Sequence, residues 1–325
     1  MAATRIQIKH VLCPTDFSDF SVRALRHAVA MARRYDALLS VLHVVPSPVV
    51  YGGDIPYFPN PAVDHAAIHK EAAGELRRFV ESALLDRVRV TLEVKSGVPW
   101  REIRATAAVL PADLLVMGTH GLSGFEHLLL GSVTEKVLRS AECPVLTICH
   151  EEGRTWQAPG LISRILCATD LSESSAGTTS FALSLATESQ AHVRFLHVIE
   201  SLPQVGAGGY PPPFEIGPLR HEVLQMVRRK LHEAIPDDAR AACSIEEQVE
   251  VGTAYKEILR LATEERADLI VMGSQGHTSL GAMLFGSTSQ HVVRAATCPV
   301  LTVRPTRKVE VASFVRAGAG LIAAG

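Results

Sequence analysis

Short apolar runs alternate along this chain with longer segments whose apolar residues recur every three or four positions. Ile8 to Cys13 is such a run, the pattern of a short buried strand. From Ser18 onward Val22, Leu25, Val29 and Ala32 fall at helical spacing, and Ser18 suits the N-cap of that helix. Leu38 to Val45 predicts a second strand, Pro46 to Pro61 a Pro- and Gly-rich loop, and about Asp64 to Asp86 a second helix. Arg89 to Lys95, Pro99 to Val109 and Asp113 to Met117 predict a strand, a helix and a strand. Gly131 to Ser140 predicts the last helix and Val145 to His150 the fifth strand. The order then restarts and runs from Ile165 to Arg304, with Ser172 in the place of Ser18. Strands alternating with helices imply right-handed crossovers and a parallel sheet covered on both faces. The expected fold is α/β: two tandem, open, five-stranded parallel sheets flanked by helices, Rossmann-like in arrangement. Ligands of such sheets bind at the carboxyl ends of the strands, where Asp16, Val44 and Gly118 fall.

The restart is a sequence repeat. Val11-Leu12-Cys13-Pro14-Thr15-Asp16-Phe17-Ser18 reappears as Ile165-Leu166-Cys167-Ala168-Thr169-Asp170-Leu171-Ser172. Leu42-His43-Val44-Val45 returns as Leu196-His197-Val198-Ile199, and Cys143-Pro144-Val145-Leu146-Thr147 as Cys298-Pro299-Val300-Leu301-Thr302. Gly118-x2-Gly121-x9-Gly131-Ser132 recurs as Gly273-x2-Gly276-x9-Gly286-Ser287, each copy after an Ala-Asp-Leu-(Leu/Ile)-Val-Met run that ends at Met117 or Met272. A period this long marks a duplicated domain rather than a solenoid unit. The expected boundaries are 1–150 and 163–304, with a linker at 151–162 and a tail at 305–325. Val145 to Ile148 and Val300 to Val303 would each leave an open apolar edge, so the two are expected to pair antiparallel within one chain. A homodimer remains open.

Composition narrows the classes. With 47% hydrophobic and 20% charged residues in 325, the chain reads as two globular domains. A net charge of -2 gives no electrostatic footprint for nucleic acid. No apolar run approaches a membrane span, and Met1 to His10 has no apolar leader core, so a cytoplasmic location is expected. The six cysteines form no C-x-x-C pair; Cys13, Cys143, Cys167 and Cys298 read as small buried apolar residues.

Glycines at this spacing, ahead of a helix, let backbone N–H groups wrap a phosphate. Together with the Pro-Thr-Asp strand end and the Leu-His-Val second strand, the motif resembles that of the universal stress protein family, over nearly all of both repeats. The glycines are similar to those of its ATP-binding branch. The resemblance implies an adenine nucleotide alpha hydrolase-like fold and ATP, with magnesium, in each repeat. It places adenine against Val44, the base and ribose beside Pro14, Thr15 and Asp16, and the phosphates against Met117, Gly118, Gly121, Gly131, Ser132, Val133 and Thr134. In repeat two the same positions are Ala168, Thr169, Asp170, Val198, Met272, Gly273, Gly276, Gly286, Ser287, Thr288 and Ser289. An unidentified protein partner that responds to the nucleotide is implied as well.

The residues also limit the chemistry. Thr119 to Leu130 and Ser274 to Phe285 contain no Lys or Arg, so neither is a Walker loop. Apart from Glu126 in repeat one, no carboxylate is placed to orient water, and no catalytic residue is assigned. Three classes stay open: an ATP-binding stress protein in which nucleotide acts as a regulatory ligand, a slow ATPase or adenylate-transferring enzyme, and a dimerisation module without nucleotide. Structural roles also compete residue by residue. Asp16 and Asp170 suit helix caps, His43 and His197 satisfied core histidines, and His120 and His127 exposed loop residues. Trp100 and Tyr255 suit packing of the third helix.

Overall fold

The computed structural model describes residues 6–46, 64–81, 88–121, 130–149, 162–200, 216–275 and 285–304. The Tyr51 to Pro59 and Gly206 to Phe214 loops, Glu126, His127, Gly276, most of the linker and the tail lie outside them. Repeat one comprises β1 (His10–Thr15), α1 (Asp19–Tyr35), β2 (Leu38–Pro46), α2 (His65–Glu81), β3 (Arg89–Gly97), α3 (Pro99–Val109), β4 (Leu114–Gly118), α4 (Ser132–Ser140) and β5 (Val145–Ile148). Repeat two comprises β6 (Arg164–Ala168), α5 (Ala176–Ser189), β7 (His192–Ile199), α6 (Ile216–Glu233), α7 (Asp237–Ala242), β8 (Ile245–Val251), α8 (Ala254–Glu264), β9 (Leu269–Gly273), α9 (Ser287–Ala295) and β10 (Val300–Val303).

The two five-stranded sheets join into one of ten strands, in the order β3-β2-β1-β4-β5-β10-β9-β6-β7-β8. Every pairing inside a repeat is parallel, and only β5 and β10 run antiparallel. Strand side chains alternate between two cores, one on each face. Val11, Cys13, Leu39, Val41 and Val116 belong to one core with α1, α2, α5 and α6. Leu12, Leu42, Leu115 and Met117 belong to the other with α3, α4, α8 and α9. This double coverage explains why the strands read as continuous apolar runs.

Two buttresses recur. Asp113, just ahead of β4, accepts the backbone N–H groups of Lys9 and His10 through Oδ2 at 2.7 and 3.0 Å. Asp268 accepts those of Ser163 and Arg164, both at 2.9 Å. The Ala-Asp-Leu signature thus ties the amino ends of paired strands. At the seam Leu301 stands opposite Leu146, Val300 opposite Thr147 and Thr302 opposite Val145, the pairing expected from the edge argument. Thr147 donates its hydroxyl to the Val300 carbonyl at 3.1 Å, and Thr302 donates to Val145 at 3.2 Å.

Repeat two departs from the expected pattern at its first helix. Ser18 caps α1 by accepting the Ser21 N–H, whereas Ser172 leads a 3-10 turn, Glu173–Ser175, without a side-chain cap, and α5 starts only at Ala176. Ser18 and Ser172 both donate to the aspartate two residues earlier at 2.6 Å, but only the Ser172 hydroxyl also meets a serine two residues on, Ser174 Oγ, at 2.6 Å, and that contact takes the place of the cap. The short helix α7 is a second feature without a counterpart among the described residues of repeat one. Three of the four cysteines expected to be buried are so, Cys13, Cys167 and Cys298, while Cys143 is half-buried; all six are free thiols. Burial pushes the thiols of Cys13 and Cys143 up to about 12 and about 11.

A small apolar cavity lies across the seam between α1 and α5, lined by His27, Met31, Leu146, Leu185 and Leu301 among others. Burial there holds the His27 imidazole down at about 4, against an ordinary 6.5. The unfolded chain takes up this proton near 6.5 and the folded chain only near 4, so the folded state loses ground as pH falls between those values. Chemical unfolding at pH 7.5 and pH 5 should show about 2 kcal/mol more acid sensitivity in the native sequence than in His27→Leu. Equal pH slopes in the two proteins would contradict the assignment.

Candidate functional site

In each repeat the strand order reverses between the first and fourth strands, and the crevice at such a switch point opens at their carboxyl ends. β1 delivers Asp16 to one wall in repeat one, and β4 delivers Gly118 to the other. β6 and β9 place Asp170 and Gly273 in the same way.

A tight turn shapes the first wall. Phe17 and Leu171, at matching positions, hold positive φ of 66° and 59°, a conformation that costs an L-residue roughly 1 kcal/mol or more. Side-chain bonds fix it. Thr15 Oγ1 accepts the Phe17 N–H at 3.0 Å, and Asp16 Oδ1 accepts the Ser18 N–H at 3.1 Å and the Ser18 and Ser21 hydroxyls at 2.6 Å. Thr169 and Asp170 make the corresponding bonds to Leu171, Ser172 and Ser175. Asp16 is therefore not itself the helix cap; it anchors Ser18, which is. Its second oxygen turns toward the glycine loop, where a Cβ on Gly121 would fall 2.3 Å from Oδ2.

His43 and His197 are half-buried, and each Nδ1 lies 2.9 Å from a strand-end carbonyl, Thr15 O or Thr169 O. The carbonyl only accepts, so both rings carry the proton on Nδ1. This matches the satisfied histidines expected. Val44 is buried next to His43, and Val198 is half-buried.

The second wall joins the fourth strand to the last helix. Gly131 N–H donates to Thr119 O and Gly286 N–H to Ser274 O, both at 2.9 Å. Thr134 Oγ1 donates to the Gly118 carbonyl at 2.9 Å, and Ser289 Oγ to that of Gly273 at 2.8 Å. These two hydroxyls thus point inward, and the residues bring their backbone N–H groups to the helix start. Ser132 and Ser287 are exposed there, while Val133 and Thr288 are half-buried. α4 and α9 begin at Gly131 and Gly286 with no side-chain cap, which leaves a helix start suited to an anion. Pro14, Thr15 and Met117 are buried in the floor, as are Thr169 and Met272, with Ala168 half-buried.

The glycines also have a packing reason. A Cβ on Gly118 would meet Phe20 Cβ at 2.8 Å and His120 O at 3.2 Å, and one on Gly131 would meet Thr119 O at 3.1 Å. Phe20 and His120 form a pair on the rim, with ring centroids 5.2 Å apart, and Arg23 stands 5.9 Å over Phe20. His120 is half-buried rather than the exposed loop residue expected, with Nδ1 3.0 Å from Thr119 Oγ1. Helical spacing marks Phe20 and Arg23 only as flank positions, so no signal in the sequence singled them out. Trp100 packs against the α3–α4 core beneath Arg101 and Lys136, and Tyr255 stacks on His291.

Fold and crevice together define a doubly wound α/β protein with two corresponding crevices in one chain. Residues 7–148 and 162–304 each match the universal stress protein family, and the chain belongs to that family. A universal stress protein of Methanocaldococcus jannaschii is 37% identical over 141 residues, which covers 43% of this chain and 81% of the relative. One from Mycolicibacterium smegmatis is 27% identical over 298 residues, covering 91% and 97%. The crystal structure of a universal stress protein from Archaeoglobus fulgidus superposes with a TM-score of 0.65 at 23% identity, covering 92% of this chain and all of that one, and shares the fold.

The two strand-end glycines sit in unequal surroundings. Gly118→Ala should cost about 1–3 kcal/mol in chemical unfolding without ligand, since Phe20 and the His120 backbone must both move. Gly273→Ala meets nothing nearer than Gln275 O at 3.2 Å among the described residues and should cost about 1 kcal/mol or less. Equal losses would show that the contact at Phe20 is of no consequence.

Proposed function

We propose that both crevices bind an adenine nucleotide, ATP in the first instance, and that the nucleotide acts as a regulatory ligand for an as yet unidentified protein partner. The carrying observation is that α4 and α9 both start on a glycine without a side-chain cap, at the carboxyl ends of the switch-point strands. Backbone N–H groups and the helix dipole there suit phosphate charge without a lysine. Val44 and Val198 would take the base edge; Asp16 and Asp170 would stand at the ribose and metal end. Among the described residues no group of three His, Cys, Asp or Glu side chains could hold a metal, so magnesium would arrive on the phosphates. Among the described residues no helix is long and apolar enough to cross a membrane, which fits a cytoplasmic role.

Turnover is expected to be slow. Charge must be met where it develops in the transition state, and the glycine loops contain no Lys or Arg to do this. Asp16 Oδ1 and Asp170 Oδ1 are engaged by their own serines. Hydrolysis should fall below the roughly 1–10³ s⁻¹ of dedicated enzymes.

The test is nucleotide binding to the whole chain. With an intrinsic Kd of about 10 μM, 1 mM ATP with magnesium should stabilise each half by roughly 2.7 kcal/mol and raise melting by roughly 5–10 °C. Calorimetry should count two nucleotides per chain, falling to one in Gly131→Val or Gly286→Val. No response to ATP, ADP or AMP would sink the proposal, and an equal response to GTP would remove the adenine pocket.

A further inference from the structure

The crevices differ where the first helix meets the fourth strand. In repeat one Phe20 lies against Gly118 and its ring meets His120. Repeat two has Ser174 and Gln275 at those positions, and α5 begins later than α1 because of the 3-10 turn. Among the described residues nothing comes within 3.0 Å of a Cβ built on Gly273; its neighbours are Gln275 O at 3.2 Å and Thr178 Oγ1 at 3.7 Å. Thr178 is 1% exposed and its hydroxyl has no hydrogen-bond partner among the described residues; the hydroxyl of Ser274, the residue after Gly273, has none there either at 4%. Their repeat-one counterparts raise no such question. Ala24 replaces Thr178, and Thr119 Oγ1 donates to Ile148 O at 3.3 Å.

A buried hydroxyl left unpaired costs roughly 1–3 kcal/mol, so a protein that retains one calls for an explanation. We propose that Thr178 is a ligand-binding residue of repeat two alone, donating its hydroxyl to an oxygen of the nucleotide, a contact that repeat one cannot make because Ala24 stands in its place. This rests on the proposed nucleotide function. The two crevices then bind the same class of ligand with different contacts. The oxygen belongs to the ribose or to a phosphoryl group, two sources with the same hydrogen-bond chemistry.

The variant Thr178→Val keeps the shape of the side chain and removes the hydroxyl. Two effects of opposite sign are expected: the ligand-free protein melts higher than the native one, and calorimetry shows one of the two ATP sites weakened about tenfold with the other unchanged. Thr178→Ser should restore the affinity. Titration with 2′-deoxy-ATP, 3′-deoxy-ATP and AMP separates the sources, because the ligand that lacks the partner oxygen will not distinguish native from Thr178→Val. Unchanged ATP affinity at both sites, or a ligand-free Thr178→Val that melts lower, overturns the inference while leaving nucleotide binding intact. A native protein that binds no adenine nucleotide overturns the functional reading itself.

Discussion

The antiparallel pairing of β5 with β10 is the constraint on which the arrangement depends. Each strand ends its own parallel sheet with four buried residues, and neither edge would be tolerated in water. Pairing them satisfies both edges at once, with Leu146 against Leu301 at the centre and two reciprocal threonine bonds beside it. Because the strands of the two halves run in opposite senses, their carboxyl ends face opposite edges of the continuous sheet. The two crevices therefore open away from each other, and anything that couples them must pass through the seam, where α1 and α5 meet over His27.

Much of this was legible in the chain. The duplicated period, the alternation of strands and helices and the apolar last strands led to the fold and to the β5–β10 pairing. The glycine spacing led to the crevice walls. What escaped was decided by contacts across space. Phe20 reads as one more flank residue of α1, yet it seals Gly118. Asp113 and Asp268 read as part of a run ahead of the glycines, yet their work is at the opposite end of the strands. Ser172 matches Ser18 letter for letter, but it meets Ser174 and leads a 3-10 turn in place of a capped helix. Periodicity reports which side of an element faces the core; it does not report which neighbour waits on that side.

The turns after β1 and β6 show how local bonding and site geometry are linked. A phenylalanine and a leucine each hold a left-handed conformation that glycine would adopt freely. Thr15 and Asp16, with Thr169 and Asp170, supply the bonds that hold it, and the same two residues bound the crevice. The Phe17 side chain in turn stacks on His43 at 4.3 Å, whose Nδ1 returns to the Thr15 carbonyl. The wall is thus held by a closed circuit of short contacts within the chain.

The seam has one more consequence. In a symmetric homodimer any substitution in one cleft appears in its twin, so both must serve the same purpose. Here both clefts lie in a single chain, and each can be altered alone. Phe20 with His120 on one side, and Ser174 with Gln275 on the other, are differences that a symmetric homodimer could not carry. The fusion turns what would be two copies of one crevice into two separately adjustable crevices in one molecule.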